Sequence, residues 1–197
     1  MTTEEKTCIR CPWVTEDPLY IKYHDEEWGK PERDNFRLFE MLCLEGQQAG
    51  LSWITILKKR ENYRTFFFNF DPYKILTLTE SDLNKILLEK GVVRHKGKLE
   101  SIKNNAKCYI DMEKNGEDFS NFIWSFVNHK PMVNNWTHSN EIPTETKTSL
   151  ALANALKKRS FKFVGNTVCY AFMQACGLVN DHVGSCISKT ESVLTTD

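Results

Sequence analysis

Apolar residues recur along this chain mostly three and four positions apart, and no stretch alternates convincingly with period two. Asp34 is placed to cap a helix carrying Phe36, Leu38, Phe39, Met41, Leu42 and Leu44. After Gly46 and Gly50 the pattern resumes with Leu51, Trp53, Ile54 and Leu57 and runs to a Phe66-Phe67-Phe68 cluster. Asp71-Pro72 pairs a cap with a first-turn proline, and Thr79 or Ser81 opens the next helix. Residues 96–114 and 119–127 read as further helices separated by Gly116. Asn128 to Pro143, with two prolines, Trp136 and many polar residues, reads as a loop. Two closing helices follow, about Thr148–Arg159 and Asn166–Cys176, the second stopped by Gly177. The pattern predicts an all-α fold.

Composition narrows this picture. The chain has 197 residues, 41% of them apolar, enough for one large domain or two lobes sharing a cleft. Lys plus Arg and Asp plus Glu both number 26, so net charge leaves no footprint for nucleic acid. Three basic runs stand out: Lys58-Lys59-Arg60, Arg94-His95-Lys96-Gly97-Lys98 and Lys157-Lys158-Arg159. Each alone reads first as a solvated helix end. No apolar window is long enough to span a bilayer, and Met1 to Lys6 is polar, with no signal core behind it. A cytosolic protein with reduced thiols and no membrane partner is expected. The odd cysteine count of seven argues the same way against a disulfide scaffold.

Three constellations carry candidate chemistry. Leu156 to Thr167 reads as helix, tight turn, helix, with Phe161, Phe163 and Val164 anchoring the turn before Gly165. A glycine lets backbone approach a ligand, and the free N–H groups of the following helix attract an anion such as DNA phosphate. Lys162, Gly165 and Thr167 are the candidate DNA contacts; an ordinary helical hairpin is the competing reading. Cys43, Cys108, Cys169 and Cys176 sit in apolar helical patterns and read as core. Cysteine and histidine remain at both ends: Cys8, Cys11 and His24, then His182 and Cys186. One helical turn would put His182 and Cys186 on one face, and two thiolates with two imidazoles suit a tetrahedral zinc. Residue types alone leave Cys8 and Cys11 as alternatives. Finally, Glu45 falls on the apolar stripe of its helix if that helix survives Gly46, where a carboxylate is costly without a partner.

Several stretches together carry a resemblance. They are Cys11-Pro12-Trp13-Val14, Asp17-Pro18-Leu19-Tyr20, Tyr23-His24-Asp25 and Trp28-Gly29, then Leu44-Glu45-Gly46-Gln47-Gln48-Ala49-Gly50-Leu51-Ser52-Trp53. Phe161-Lys162-Phe163-Val164-Gly165 and Asn180-Asp181-His182 follow. In order over about residues 8–186, they closely resemble the bacterial 3-methyladenine DNA glycosylases of type I, within the helix–hairpin–helix glycosylase superfamily. The resemblance implies one helical glycosylase domain over 8–186, with 1–7 and 187–197 as flexible tails. It implies one structural zinc held by Cys11, His24, His182 and Cys186, which decides between Cys8 and Cys11. It implies a base pocket of Glu45, Trp13, Tyr20, Tyr23, Trp28 and Trp53, acting as a monomer at the nucleoid on double-stranded DNA containing alkylated adenine.

The reaction implied is hydrolysis of the N-glycosidic bond of N3-methyladenine, leaving an abasic site. N3-methylation makes the attached base a cation and a good leaving group, so binding the cation can supply selectivity with little acid catalysis. Aromatic faces and Glu45 suit that task. The hairpin departs from the wider superfamily: Phe161-Lys162-Phe163 stands where Leu-Pro-Gly is usual. Asn166 and Thr167 lead the next helix without the lysine nucleophile, which removes the basis for lyase activity. Asp181 is the one counterpart of the superfamily aspartate and is assigned no catalysis, because it adjoins His182. Gly50-Leu51 is a candidate wedge for the gap left by a flipped nucleotide, with Leu51 as core residue the competing reading. A DNA-binding module without chemistry, or a glycosylase for another lesion, are the alternatives. The first needs no inward carboxylate, and the second needs an acting lysine or a four-cysteine cluster.

Overall fold

The structure is a computed structural model and describes residues 9–189. Ten α-helices lie wholly within the described residues: α1 (Pro18–Glu26), α2 (Asn35–Gln48), α3 (Trp53–Leu57), α4 (Arg60–Phe66), α5 (Pro72–Ile75), α6 (Glu80–Leu88), α7 (Lys96–Lys114), α8 (Phe119–Ser125), α9 (Lys147–Lys158) and α10 (Asn166–Ala175). Short 3₁₀ turns occupy Phe68–Phe70 and Ser139–Glu141.

The helix starts follow their caps. Asp17, Asp34, Asp71 and Asp118 each accept hydrogen bonds from first-turn N–H groups, and Thr79 and Thr146 form capping boxes. Helix α1 escaped the periodicity reading even though Asp17-Pro18 repeats the Asp71-Pro72 signal. Of its residues only Tyr23 and His24 are buried, so its sequence carries no broad apolar stripe.

Helix α2 is the hub, buried continuously from Leu42 to Gln47 and packed against α3, α7, α8 and α10. It survives Gly46, whose missing side chain lets the α9–α10 hairpin come close. A Cβ there would lie 3.2 Å from Phe163 Cβ and 3.3 Å from its carbonyl oxygen. Phe161 and Val164 are buried beneath the hairpin turn. Asn105 of α7 clasps that turn from the side, its Oδ1 accepting from Lys162 N at 2.8 Å and its Nδ2 donating to Lys162 O at 3.1 Å. Gly165 holds an ordinary φ of −67°, so the turn's left-handed positions are Ser160 and Phe163.

The all-α expectation holds with one small addition, and one boundary needs correcting. A two-residue parallel ladder joins β1 (Met132–Val133) to β2 (Val179–Asn180), too short for any alternating pattern to announce it. The packed chain also runs past Cys186. Ile187 N donates to Ile9 O at 2.9 Å, and Ser188 and Lys189 are buried, so the expected tail does not begin at 187. Residues 1–8, Cys8 among them, and 190–197 lie outside the described residues. No helix among the described residues is long and apolar enough to cross a membrane.

Candidate active site

Cys11, His24, His182 and Cys186 are all buried, and their ligand atoms lie within 4.8 Å of one another. His182 Nδ1 is 3.5 Å from Cys11 Sγ and 3.4 Å from Cys186 Sγ, and His24 Nε2 is 3.4 Å from Cys186 Sγ. The remaining ring nitrogens are tied back. His24 Nδ1 meets Asp25 Oδ1 at 2.7 Å, and Arg10 clamps that carboxylate at 2.7–3.0 Å. His182 Nε2 donates to the Trp28 carbonyl at 3.0 Å. These outer bonds leave one lone pair on each imidazole facing the sulfurs, the arrangement a metal site requires. The Cys11 thiol is held up and the Cys186 thiol down by the bond between them. His182 and Cys186 do not share a helical face. They converge through a tight turn in which Cys186 N donates to Val183 O. The four residues could hold a metal ion, joining the two ends of the described chain.

This Cys–His group abuts a cavity of ≈ 410 Å³ through Trp28. Trp13, Tyr20, Tyr23, Trp28 and Trp53 line it together with Glu45. Trp28 is the shared wall, its ring 4.6 Å from that of His182 and 5.0 Å from that of Trp13, edge on in both cases. Trp13 lies 5.0 Å from Tyr20, and Tyr23 lies 5.4 Å from Trp53. Helix α1 supplies Tyr20 and Tyr23 on its cavity side and His24 on its metal side.

Glu45 has nothing to balance its charge. Burial alone pushes its carboxyl up to about 8, with no neighbouring cation or donor opposing the shift. Its Oε2 and the indole Nε1 of Trp53 are buried without a hydrogen-bond partner. The pocket therefore holds one unpaired acceptor and one unpaired donor, framed by aromatic faces. Orphaned polar atoms of this kind suit a ligand that supplies their partners.

Sequence reasoning did not find the opposite wall. Tyr170, Ala171 and Gln174 of α10, and Ser139, Ile142, Pro143 and Thr144 of the long loop, also line the cavity. Helical spacing from Thr167 marks Tyr170, Ala171 and Gln174; the loop residues carry no local signal. Thr167, assigned to the hairpin's DNA contacts, is itself a lining residue. Asp181 is fully buried and saturated. Its Oδ1 accepts from Asn134 and Trp136 at 2.8 and 2.7 Å, and its Oδ2 accepts from Tyr170 and Gln174 at 2.5 and 2.8 Å. It braces this wall and faces no open space.

Of the DNA-contact candidates, Lys162 is exposed on the hairpin, and Gly165 is the N-cap of α10, whose first turn no side chain caps. Gly50 is left-handed at φ +81°, and Leu51 is 41% exposed. That exposure removes the core reading of Leu51. The basic runs are largely absorbed. Arg60 pairs with Glu27 through two bonds of 2.6 and 2.8 Å, Arg159 pairs with Glu117, and Lys98 is buried. A separate charged cleft of ≈ 240 Å³ holds the Arg60–Glu27 and Arg64–Glu40 pairs, whose charges balance internally.

A helical globule with an aromatic cavity, a lone buried carboxylate and a four-ligand Cys–His knot defines a class. The methyladenine glycosylase family model matches residues 13–189, and the chain belongs to that family. Among individual relatives, DNA-3-methyladenine glycosylase 1 of Escherichia coli (strain K12) is 62% identical over 177 residues, spanning 90% of this chain and 95% of its own. A crystal structure of 3-methyladenine DNA glycosylase I matches with a TM-score of 0.90 at 58% identity, covering 91% of this chain and 98% of the other. A variant of 3-methyladenine DNA glycosylase I in complex with 3-methyladenine matches with a TM-score of 0.88 at 40% identity, covering 91% and 97%.

Proposed function

We infer that this protein hydrolyses the N-glycosidic bond of N3-methyladenine in DNA, releasing the free base and leaving an abasic site. The observation that carries the reading is Glu45: an unpaired carboxylate buried in an aromatic cavity is unfavourable until a cation enters. N3-methyladenine attached to deoxyribose is that cation. The name of the Escherichia coli relative, DNA-3-methyladenine glycosylase 1, and the 3-methyladenine bound by the structural neighbour support the same choice.

The nucleotide is flipped from the duplex, and the base enters between Trp13, Tyr20, Tyr23, Trp28 and Trp53. Stacking of a base on aromatic rings contributes about 1–3 kcal/mol each, and a desolvated cation–π contact about 2 kcal/mol. Glu45 accepts a hydrogen bond from the N6 amino group and sets its negative charge against the cation. The C1′–N9 bond breaks with its electron pair passing to the base, which leaves neutral, and water adds at C1′ of the sugar, giving up one proton to solvent. None of the cavity-lining residues is a lysine, so no amine is placed to form a Schiff base with the sugar. Activity on a duplex with a single 3-methyladenine tests the reading. The expected product is an abasic strand that breaks only on treatment with hot alkali; breakage without alkali would require a lyase step.

The four-residue knot suits one structural zinc. With Zn–S of about 2.3 Å and Zn–N of about 2.0 Å, a tetrahedron has S–N edges of about 3.5 Å. Three of the four S···N separations here are 3.4–3.5 Å, and all the ligand atoms lie within 4.8 Å of one another. All four ligand atoms are buried away from the cavity lining, so a metal held by Cys11, His24, His182 and Cys186 would brace Trp28 and Trp13 and supply structural rather than catalytic chemistry.

The duplex is held in two places. The α9–α10 hairpin, through Lys162, Gly165 and Thr167, takes phosphate on the free N–H groups of α10. Gly50 and Leu51 form the wedge that fills the emptied position, compensating an unstacking cost of a few kcal/mol. Leu51→Ala is expected to weaken excision from duplex DNA about tenfold or more while costing under about 1 kcal/mol of stability, because the side chain is already solvated. Excision rates alongside thermal melting check it. A large fall in melting temperature with full activity per folded molecule would return Leu51 to the core.

A further inference from the structure

Lys98 belongs to a basic run that reads in sequence as a solvated helix end, yet it is only 6% exposed. Its ammonium donates to the carbonyl oxygens of Gln47 at 2.8 Å and Ala49 at 2.7 Å. No carboxylate among the described residues pairs with it. An ammonium taken out of water without a counter-ion is costly, and here the compensation is the negative end of α2. Those last carbonyls would otherwise be satisfied by water.

The clasp is reciprocal. Gln47 is fully buried, and its Nε2 donates to Lys98 O at 2.9 Å. Its Oε1 accepts from Tyr63 OH at 3.2 Å, and that hydroxyl in turn accepts from Val93 N at 2.9 Å. Helix α7, helix α4 and the segment before α7 thus converge on the last turn of α2. Glu45 lies two residues before Gln47 and Gly50-Leu51 begins three residues after it, so one short stretch joins the pocket carboxylate to the exposed tip.

We propose that Lys98 is a positioning residue for the wedge: its ammonium locks the end of α2 so that the Gly50-Leu51 tip keeps its shape when driven into the duplex. The proposal rests on the reading of Leu51 as the wedge. Beyond Ala49 the chain is exposed, with Leu51 N held to Gln48 O and the Ala49 carbonyl held by Lys98. A tip that yields under load would dissipate the packing that must offset unstacking. A tip ordered in advance does not.

The test is a double-mutant cycle on the full chain. Lys98→Met keeps the apolar stem and removes the ammonium; it is measured alone, with Leu51→Ala, and in the double variant. Two readouts are taken: single-turnover excision from a duplex bearing one 3-methyladenine, and affinity for free 3-methyladenine followed by tryptophan fluorescence. Lys98→Met is expected to slow duplex excision about tenfold, with the double variant no slower than Leu51→Ala alone. Free-base affinity should stay within about twofold of wild type, which a general loosening of the pocket would not allow. If Lys98→Met fails to fold, Lys98→Gln, whose shorter donor cannot span both carbonyls, carries the same expectation. Additive losses in the double variant, wild-type excision per folded molecule, or an equal loss of free-base affinity would overturn the proposal. A failure of the wedge itself shows separately, as Leu51→Ala excising at the wild-type rate, and Lys98 then loses this role.

Discussion

Replacing Glu45 by glutamine is expected to slow release of methylated adenine by about 10²–10³-fold and, in the same protein, to raise the melting temperature. Both effects follow from one buried charge. The amide keeps the shape of the carboxylate but cannot neutralise a cationic base. Burial raises the Glu45 carboxyl from its ordinary 4.5 to about 8, so the native state holds a proton that the unfolded chain has already released. Between those values native protein binds more protons than unfolded protein, and stability falls as pH rises. At pH 7 the cost of folding around this group is up to about 3 kcal/mol, at 1.36 kcal/mol per pH unit. Removing it should raise the melting temperature by several degrees, since about 1 kcal/mol is worth 2–4 °C in a domain of this size. The gain should grow from pH 5 to 8 and level off above. Calorimetry over that range beside excision rates checks both. A Glu45→Gln protein that excises at the wild-type rate, or melts below wild type at pH 8, would make Glu45 a structural residue.

Stripping the metal is expected to lower the melting temperature by about 10–20 °C. A link between Cys11 and Cys186 closes most of the chain into one loop, and the lost chain entropy of such a closure amounts to about 5 kcal/mol. Two thiols and two imidazoles would also be left buried without the ion their lone pairs face. The injury should spread to the pocket, because Trp28 packs on the His24 and His182 imidazoles and its carbonyl accepts a hydrogen bond from His182 Nε2. Metal analysis should find one zinc per chain, lost in Cys11→Ala and retained in Cys8→Ser. An unchanged melting temperature after complete chelation, or zinc retained by Cys11→Ala, would contradict the structural site.

Local chemistry wrote most of the helices into the sequence. Asp34, Asp71 and Thr79 announced α2, α5 and α6, and the 96–114 periodicity matched α7 residue for residue. Glu45 could be placed inward because its spacing from Met41 and Ala49 follows the helical repeat. What stayed hidden depends on contacts distant in sequence. Gly46 is a site of close approach only because the hairpin returns to it more than a hundred residues later. The loop residues Ser139 to Thr144 face the cavity through tertiary packing that no periodicity records. Lys98 looked like surface charge because its partners are backbone carbonyls, which carry no letter in the sequence. His182 and Cys186 were paired correctly by spacing, but the turn that joins them is not helical.

The central claim is that this pocket selects a cationic N3-methylated adenine by charge and by its amino edge. Simple methylating agents also make N7-methylguanine, another cation, which presents a carbonyl oxygen at the position of the adenine amino group. That oxygen would face the Glu45 carboxylate acceptor to acceptor. Chromatography of the bases released from methylated duplex DNA therefore separates charge alone from the full account. Free 3-methyladenine is expected in the supernatant, with 7-methylguanine left in the polymer. Release of both at equal rates, or of neither, would contradict it.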